Sequence, residues 1–234
     1  MDITLLAVDW AMVLEKFIFI AVIITISLVV ALYMTFGERK VAAWIQDRVG
    51  PNRAGPFGIL QPLADGVKMF MKEEIVPANS SKWLFMVGPG LAMLCACIGT
   101  AVIPWGQDLN INGRVVPLQV TDINVGVLYL FGVVSLGVYG VMIGGWASNN
   151  KYSLLSAIRA ASQNISYEVA MGLSIIALLL MTNTLSLKEI VQQQHGFVNW
   201  NVWYQPLGFL IFMVCSFAET NRAPFDLPEC ETEL

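Results

Sequence analysis

Five stretches of the chain are apolar enough to cross a bilayer, and polar segments of unequal character divide them. A bilayer core of about 30 Å needs roughly 20 apolar residues as helix. The runs fall at 17–36, 83–103, 123–147, 164–182 and 203–218. The first carries no charged residue, the second ends before Pro104, and the third is rich in glycine. The fourth holds Glu168 inside it, and the fifth, the shortest, is stopped by Glu219. Only helices and closed barrels satisfy their backbone groups in lipid. The pattern therefore predicts an all-α fold: a polytopic integral membrane helical bundle, with residues 1–234 as a single membrane domain.

One polar segment, 37–75, breaks the alternation of span and loop. It mixes Arg, Lys, Asp and Glu with Trp, Phe and Leu, and Gly and Pro punctuate it. Within it Ile59, Leu60, Leu63, Val67, Phe70 and Met71 recur at helical spacing, while Gln61, Asp65, Lys68 and Lys72 hold the opposite face. That is an amphipathic helix, too polar to span and suited to the interface. Asp65 and Lys68 are spaced to pair along it. The helix reads equally as a lipid-surface anchor or as the floor of a chamber. Before it, Arg48-Val49-Gly50-Pro51-Asn52-Arg53-Ala54-Gly55-Pro56 has its path defined by two Gly-Pro steps. Glu38 and Arg39 close the first span, where a charge pair is partly desolvated. Arg39 and Lys40 alone would read as anchors at the membrane surface.

Composition supports the membrane reading. Of 234 residues, 56% are hydrophobic and 13% charged, against about 25% charged in soluble domains. A net charge of -4 gives no reason to expect a nucleic-acid partner. Basic residues set the orientation. Arg39, Lys40, Arg48, Arg53, Lys68, Lys72, Lys82, Lys151, Arg159 and Arg222 fall on one side, and only Lys16, Arg114 and Lys188 on the other. The N-terminus is then outside. The shelf with its amphipathic helix, the loop 148–163 and the acidic loop 219–234 are cytoplasmic or matrix-facing.

The candidate chemistry is acidic. A carboxylate inside a span is costly unless paired or hydrated, so Glu168 is expected to face the bundle interior. It serves there as a functional group or as a structural hydrogen-bond partner. Residues 219–234 crowd Glu219, Asp226, Glu229, Glu231 and Glu233 around a single base, Arg222. Crowded carboxylates raise one another's proton affinity, which suits proton storage or relay; a solvated tail is the plainer alternative. Gly140 and Gly144 form a GxxxG step for close helix approach. Cys95 and Cys97 lie in an apolar run without a second ligand pair, and His195 has no donor near it in sequence. No metal site is expected.

The blocks GERK, GPNRAGPFGILQPLADGVKMFMKE, GWASNNKYSLLSAIRAASQNISYE and AETNRAPFDLPE closely resemble one membrane subunit of respiratory complex I, called NADH dehydrogenase subunit 1 in mitochondria. The resemblance runs from the first span to the last residue. It implies a subunit of a proton-translocating NADH:quinone oxidoreductase, enzymatic only as part of the complex and with no complete active site of its own. It implies a quinone tunnel at the junction with the peripheral arm, with Glu38, Arg39, Arg48, Asp65 and Lys68 in the tunnel and its rim. Arg53 is a weaker candidate in the same block. By the same carry-over Glu168 and Glu219 belong to an acidic path into the membrane arm. Asp226, Glu229 and Glu231 belong to the loop before it, with Arg222 as counter-charge. Quinone is the substrate. FMN and iron–sulfur clusters are expected in partner subunits, and no cofactor is bound by this chain. The implied partners are the peripheral quinone-site subunits, neighbouring membrane-arm subunits and lipid. The implied location is a bacterial plasma membrane rather than a mitochondrial inner membrane.

Two competitors share part of the resemblance or none of it. One is the equivalent subunit of a membrane-bound hydrogenase or formate hydrogenlyase. The other is a non-catalytic membrane anchor for a peripheral redox module. Family members continue through further spans beyond the acidic loop, so a chain ending at Leu234 is expected to be truncated.

Overall fold

The computed structural model describes residues 10–111, 114–221 and 225. They form two compact units, Met1–Ile75 and Val76–Leu234. Four helices are long and apolar enough to cross a membrane, and the protein is an all-α membrane protein.

In the first unit α1 runs unbroken from Trp10 to Ile45 over 36 residues. At about 1.5 Å per residue it is some 54 Å long, well beyond a bilayer core. The shelf therefore begins as a continuation of the first span, because GERKVAAWI contains no proline and a single glycine, Gly37, is tolerated within so long a helix. The chain then turns through Asp47 and a loop closed by the 3-10 turn Pro56–Gly58. Gly58 has φ 85°, and a β-carbon there would meet Pro51 O at 2.2 Å. The loop crosses itself at a point where only glycine fits. The amphipathic helix α2 follows at Gln61–Phe70, with Pro62 in its first turn. A β-carbon on Gly66 would touch Leu32 at 3.6 Å, so α2 lies along α1. Its apolar residues Leu63, Val67 and Phe70 stay exposed, which leaves that face free for lipid or for a partner.

The second unit is built on α3 (Lys82–Gly99), α4 (Gly126–Ala147), α5 (Lys151–Thr182) and α8 (Pro206–Glu219). Helix α4 is the centre, against α3 on one side and α5 on the other. Its glycines decide both approaches. A β-carbon on Gly140 would stand 2.7 Å from Gly88 O, and one on Gly88 would stand 3.0 Å from Gly144 Cα. Gly145 faces the other way, where a β-carbon would meet Ala157 Cβ at 2.4 Å. The GxxxG step thus receives Gly88 of α3. Ala157, Ala160 and Ala161 are buried likewise, so small side chains set the helix spacing.

Helix α5 begins at Lys151, well before the apolar run at 164, and is capped by Asn150, whose side chain accepts from Tyr152 N. Most of the segment read from the sequence as the loop 148–163 is thus helix; only a tight turn with Asn149 at φ 53° separates α4 from α5. The segments between spans at the other end also carry structure. They hold a short antiparallel hairpin, β1 (Leu109–Ile111) and β2 (Arg114–Val116), and the small helices α6 (Leu187–Gln193) and α7 (Asn201–Tyr204). The salt bridge Lys188–Asp108 at 3.2 Å ties two of these segments together.

Candidate functional site

In the first unit the site is an ion pair between helices. Arg39 Nη1 on α1 donates to Asp65 Oδ2 on α2 at 2.5 Å, and Gln61 Nε2 donates to Asp65 Oδ1 at 3.1 Å. Asp65 is about a third exposed (32%) and Arg39 more so (55%). The Arg39 guanidinium first, then the Gln61 amide, holds the Asp65 carboxyl below its ordinary value of 3.8. Lys68, one turn on, adds a weaker field of the same sign. The carboxylate expected to pair with Lys68 along its own helix thus takes Arg39 across helices. The guanidinium offers a fork that an ammonium does not. Glu38 is exposed on the same turn of α1. Arg48 and Arg53 are exposed in the loop, and Arg48 Nε turns to Gln46 Oε1 at 2.6 Å.

In the second unit two half-buried acids, Glu168 and Glu219, lie on the neighbouring helices α5 and α8. Ser135 Oγ on α4 stands 3.1 Å from Glu168 Oε2 on α5 and 2.9 Å from its own-turn acceptor Phe131 O. Helices α5 and α8 run antiparallel. Gln205 Nε2 donates to Ala177 O at 2.8 Å, and a β-carbon on Gly208 would lie 3.8 Å from Ser174 O. Following both helices from there brings Glu219 level with Gln163 and Asn164, four to five residues or about 6–7.5 Å along α5 from Glu168.

The surroundings of these acids are rich in acceptors. Glu168 Oε1, Glu219 Oε2, Gln163 Oε1, Asn164 Oδ1 and Asn221 Oδ1 are buried without a hydrogen-bond partner among the described residues. Gln163 and Asn164 are almost wholly buried, at 8% and 5% exposure. Buried acceptors without donors are costly. A neutral carboxylic acid supplies one donor where the carboxylate supplies none.

Phe225 is seated on the same helix. Gln163 Nε2 donates to Phe225 O at 2.8 Å, and the Tyr167 and Phe225 rings meet edge-on at 5.1 Å. Arg222, Asp226, Glu229 and Glu231 lie outside the described residues. Ser135, Gln163, Asn164 and Asn221 were not singled out from the sequence. The signal was present for Ser135, a polar residue in the middle of an apolar run.

The model of the NADH dehydrogenase family matches residues 17–234. The chain belongs to the NADH dehydrogenase family. It is 69% identical over 221 residues to an H-type subunit of the NADH-quinone oxidoreductase of Cytophaga hutchinsonii, covering 94% of this chain and 64% of the relative. It is 62% identical over 224 residues to the H-type subunit of the NADH-quinone oxidoreductase of Flavobacterium johnsoniae, covering 96% and 64%. The corresponding NADH-quinone oxidoreductase subunit of Thermomicrobium roseum is 47% identical over 234 residues, covering 97% and 69%. The chain thus spans 64% of the length of the first two curated relatives. These relatives are bacterial, in keeping with an integral protein of a bacterial membrane.

Proposed function

We propose that this chain is the membrane subunit of a proton-translocating NADH:quinone oxidoreductase that lines a quinone tunnel and opens the acidic path into the membrane arm. The observation that carries the reading is Glu168, an acid inside a span with Ser135 Oγ 3.1 Å from its Oε2, together with Glu219 on the facing helix α8. A membrane bundle that needed only to anchor a partner would gain nothing from a half-buried acid within a span. The relatives' shared description as NADH-quinone oxidoreductase subunits agrees with it.

In this reading the shelf and the bundle do different work. Arg39 and Asp65 fix α2 against the emerging end of α1, and the exposed apolar face of α2 offers a floor for a quinone. Arg48, Glu38 and Lys68 form its charged rim. The electrons come from FMN and iron–sulfur clusters in peripheral partner subunits. Quinone reduction takes up protons near the acidic loop at 226–231 and shifts charge there. That shift changes the proton occupancy of Glu219 and then of Glu168, and neighbouring membrane-arm subunits receive the perturbation. Orientation follows the basic residues, with the N-terminus outside and the shelf on the cytoplasmic face.

Glu219→Gln and Glu168→Gln in the assembled full-length enzyme test the path. The substitutions remove the titrating group and keep the volume. Each is expected to lower coupled turnover at unchanged assembly. An unchanged proton-to-electron ratio and turnover in both variants contradicts the relay.

A further inference from the structure

Phe225 is held on a single face of α5. Its ring meets Tyr167 edge-on at 5.1 Å, and its carbonyl accepts from Gln163 Nε2 at 2.8 Å. Tyr167 and Gln163 are four residues apart, and four residues further toward the start of the helix the same face carries Arg159. All three line one groove of about 630 Å³ with Phe225 itself. The ring of Phe225 thus lies at the level of Tyr167 and its carbonyl at the level of Gln163. The chain leaves Phe225 through that carbonyl carbon, so the step to residue 226 starts one turn, about 6 Å, from the level of Arg159.

Arg159 is the unmatched group of the groove. It is exposed and makes no ion pair or hydrogen bond with a described residue. Among the described residues it is the one charged side chain in the lining. The neutral groups beside it are engaged elsewhere: Gln163 Nε2 with Phe225 O, and Ser166 Oγ with Ser162 O. A guanidinium presents a planar fork of donors that fits a carboxylate.

The chain beyond Phe225 supplies carboxylates. It reads Asp-Leu-Pro-Glu-Cys-Glu-Thr-Glu-Leu, with four acids and no base. Asp226 is the first of them, and its Cα stands about 3.8 Å from that of the anchored Phe225. An acid tethered so closely to a seated residue reaches the cation at high effective concentration. A lipid phosphate or an acid of another subunit would have to compete with it.

We propose that Asp226 pairs with Arg159, docking the acidic segment 226–233 on the face of α5 that carries Tyr167, Gln163 and Arg159. Arg159 is then a positioning residue: it neutralises the first acid and holds the others beside the helix that carries Glu168. The pairing does not depend on which electron donor or acceptor the complex uses. Its failure would leave the quinone reading untouched.

The test uses the assembled complex containing the full-length chain with Arg159→Lys, treated with a water-soluble carbodiimide, which joins an amine to a carboxylate in contact with it. Peptide mass spectrometry is expected to find residue 159 linked to residue 226, and Asp226→Asn is expected to remove the link. On the native arginine, modification of Arg159 by phenylglyoxal is expected to rise about threefold in Asp226→Asn, as for loss of a partly exposed ion pair. That measurement decides if Arg159→Lys does not assemble. Absence of a link from residue 159, or a link to Glu229, Glu231 or a carboxylate of another polypeptide, overturns the proposal. So does an Arg159 reactivity that Asp226→Asn leaves unchanged; a rise on removal of anionic lipid would then assign the cation to a headgroup.

Discussion

Ser135 and Glu168 meet across the α4–α5 contact with Oγ and Oε2 3.1 Å apart. The Ser135 hydroxyl has one proton and two acceptors in reach, Glu168 Oε2 and Phe131 O. It can give that proton to a Glu168 carboxylate. When Glu168 is itself protonated, Ser135 can turn its proton to Phe131 O and accept from the carboxyl. The one side chain serves both protonation states of Glu168, which is what a relay position requires. Ser135→Ala leaves neither option and is expected to lower coupled turnover about tenfold, from a hydrogen bond to a charged group worth roughly 1.5 kcal/mol. Ser135→Thr keeps the hydroxyl and is expected to retain most of it. Turnover and proton-to-electron ratio, measured across pH for both variants, check this. Equal loss in both marks a steric effect instead.

The Arg39–Asp65 pair yields a prediction about the shelf. Asp65 titrates below its ordinary value because Arg39 and Gln61 bind its charged form. A depressed acid contributes its stabilisation above its unfolded-state value, and the contribution is lost as pH falls through the folded value. Docking of α2 on α1 is therefore expected to persist below the ordinary carboxylate range and to fail only under stronger acid. Asp65→Asn is expected to abolish that pH dependence. Distances between spin labels on α1 and α2, followed from pH 7 downward, read this out.

Asp65→Asn also separates a tunnel from an anchor. If α2 floors a quinone site, the variant assembles and its apparent affinity for quinone changes. A pure anchor loses assembly and activity in proportion. Complex yield and quinone kinetics from the same preparation distinguish the two.

Gly140 and Gly144 differ in a way that their shared motif hides. A β-carbon at Gly140 would be 2.7 Å from the backbone oxygen of Gly88, whereas one at Gly144 would meet nothing within 4 Å. Gly140→Ala is expected to destabilise the bundle by about 1–3 kcal/mol, the range for overfilled cores. Gly144→Ala is expected to be near neutral. Thermal unfolding of the two variants in one detergent compares them directly.

Gly58 is the corresponding point in the shelf. Its φ of 85° and the 2.2 Å approach of a β-carbon to Pro51 O leave no room for alanine. Gly58→Ala is expected to unseat the loop 46–60 and raise its proteolytic sensitivity, while α1 stays intact.

The apolar runs could be read from the sequence because a bilayer imposes a length and a composition on them. The amphipathic face of 59–72 was equally plain. Contacts between segments distant in sequence were not. Asp65 looked like the partner of Lys68 because spacing along a helix is visible and the approach of α1 is not. The extension of α1 to Ile45 and the start of α5 at Lys151 were obscured by charge density, which marks water and says nothing against helix. The Asn112-Gly113 step is itself a hairpin signal in the sequence. Glu168 could be assigned to the interior from cost alone. Its neighbour Ser135 stood out as a polar residue in an apolar run, but a serine in a span is cheap enough to need no partner, so the sequence did not say that it meets Glu168.

The most direct test of the account is made on the native membrane complex that contains the full-length chain. The complex is isolated through a tag on this subunit and assayed for NADH-driven quinone reduction with and without a quinone-site inhibitor. Inhibitor-sensitive quinone reduction coupled to proton movement is the predicted result. Absence of NADH activity together with hydrogen evolution from a low-potential donor contradicts it, and would leave the shelf a docking surface without a quinone in it.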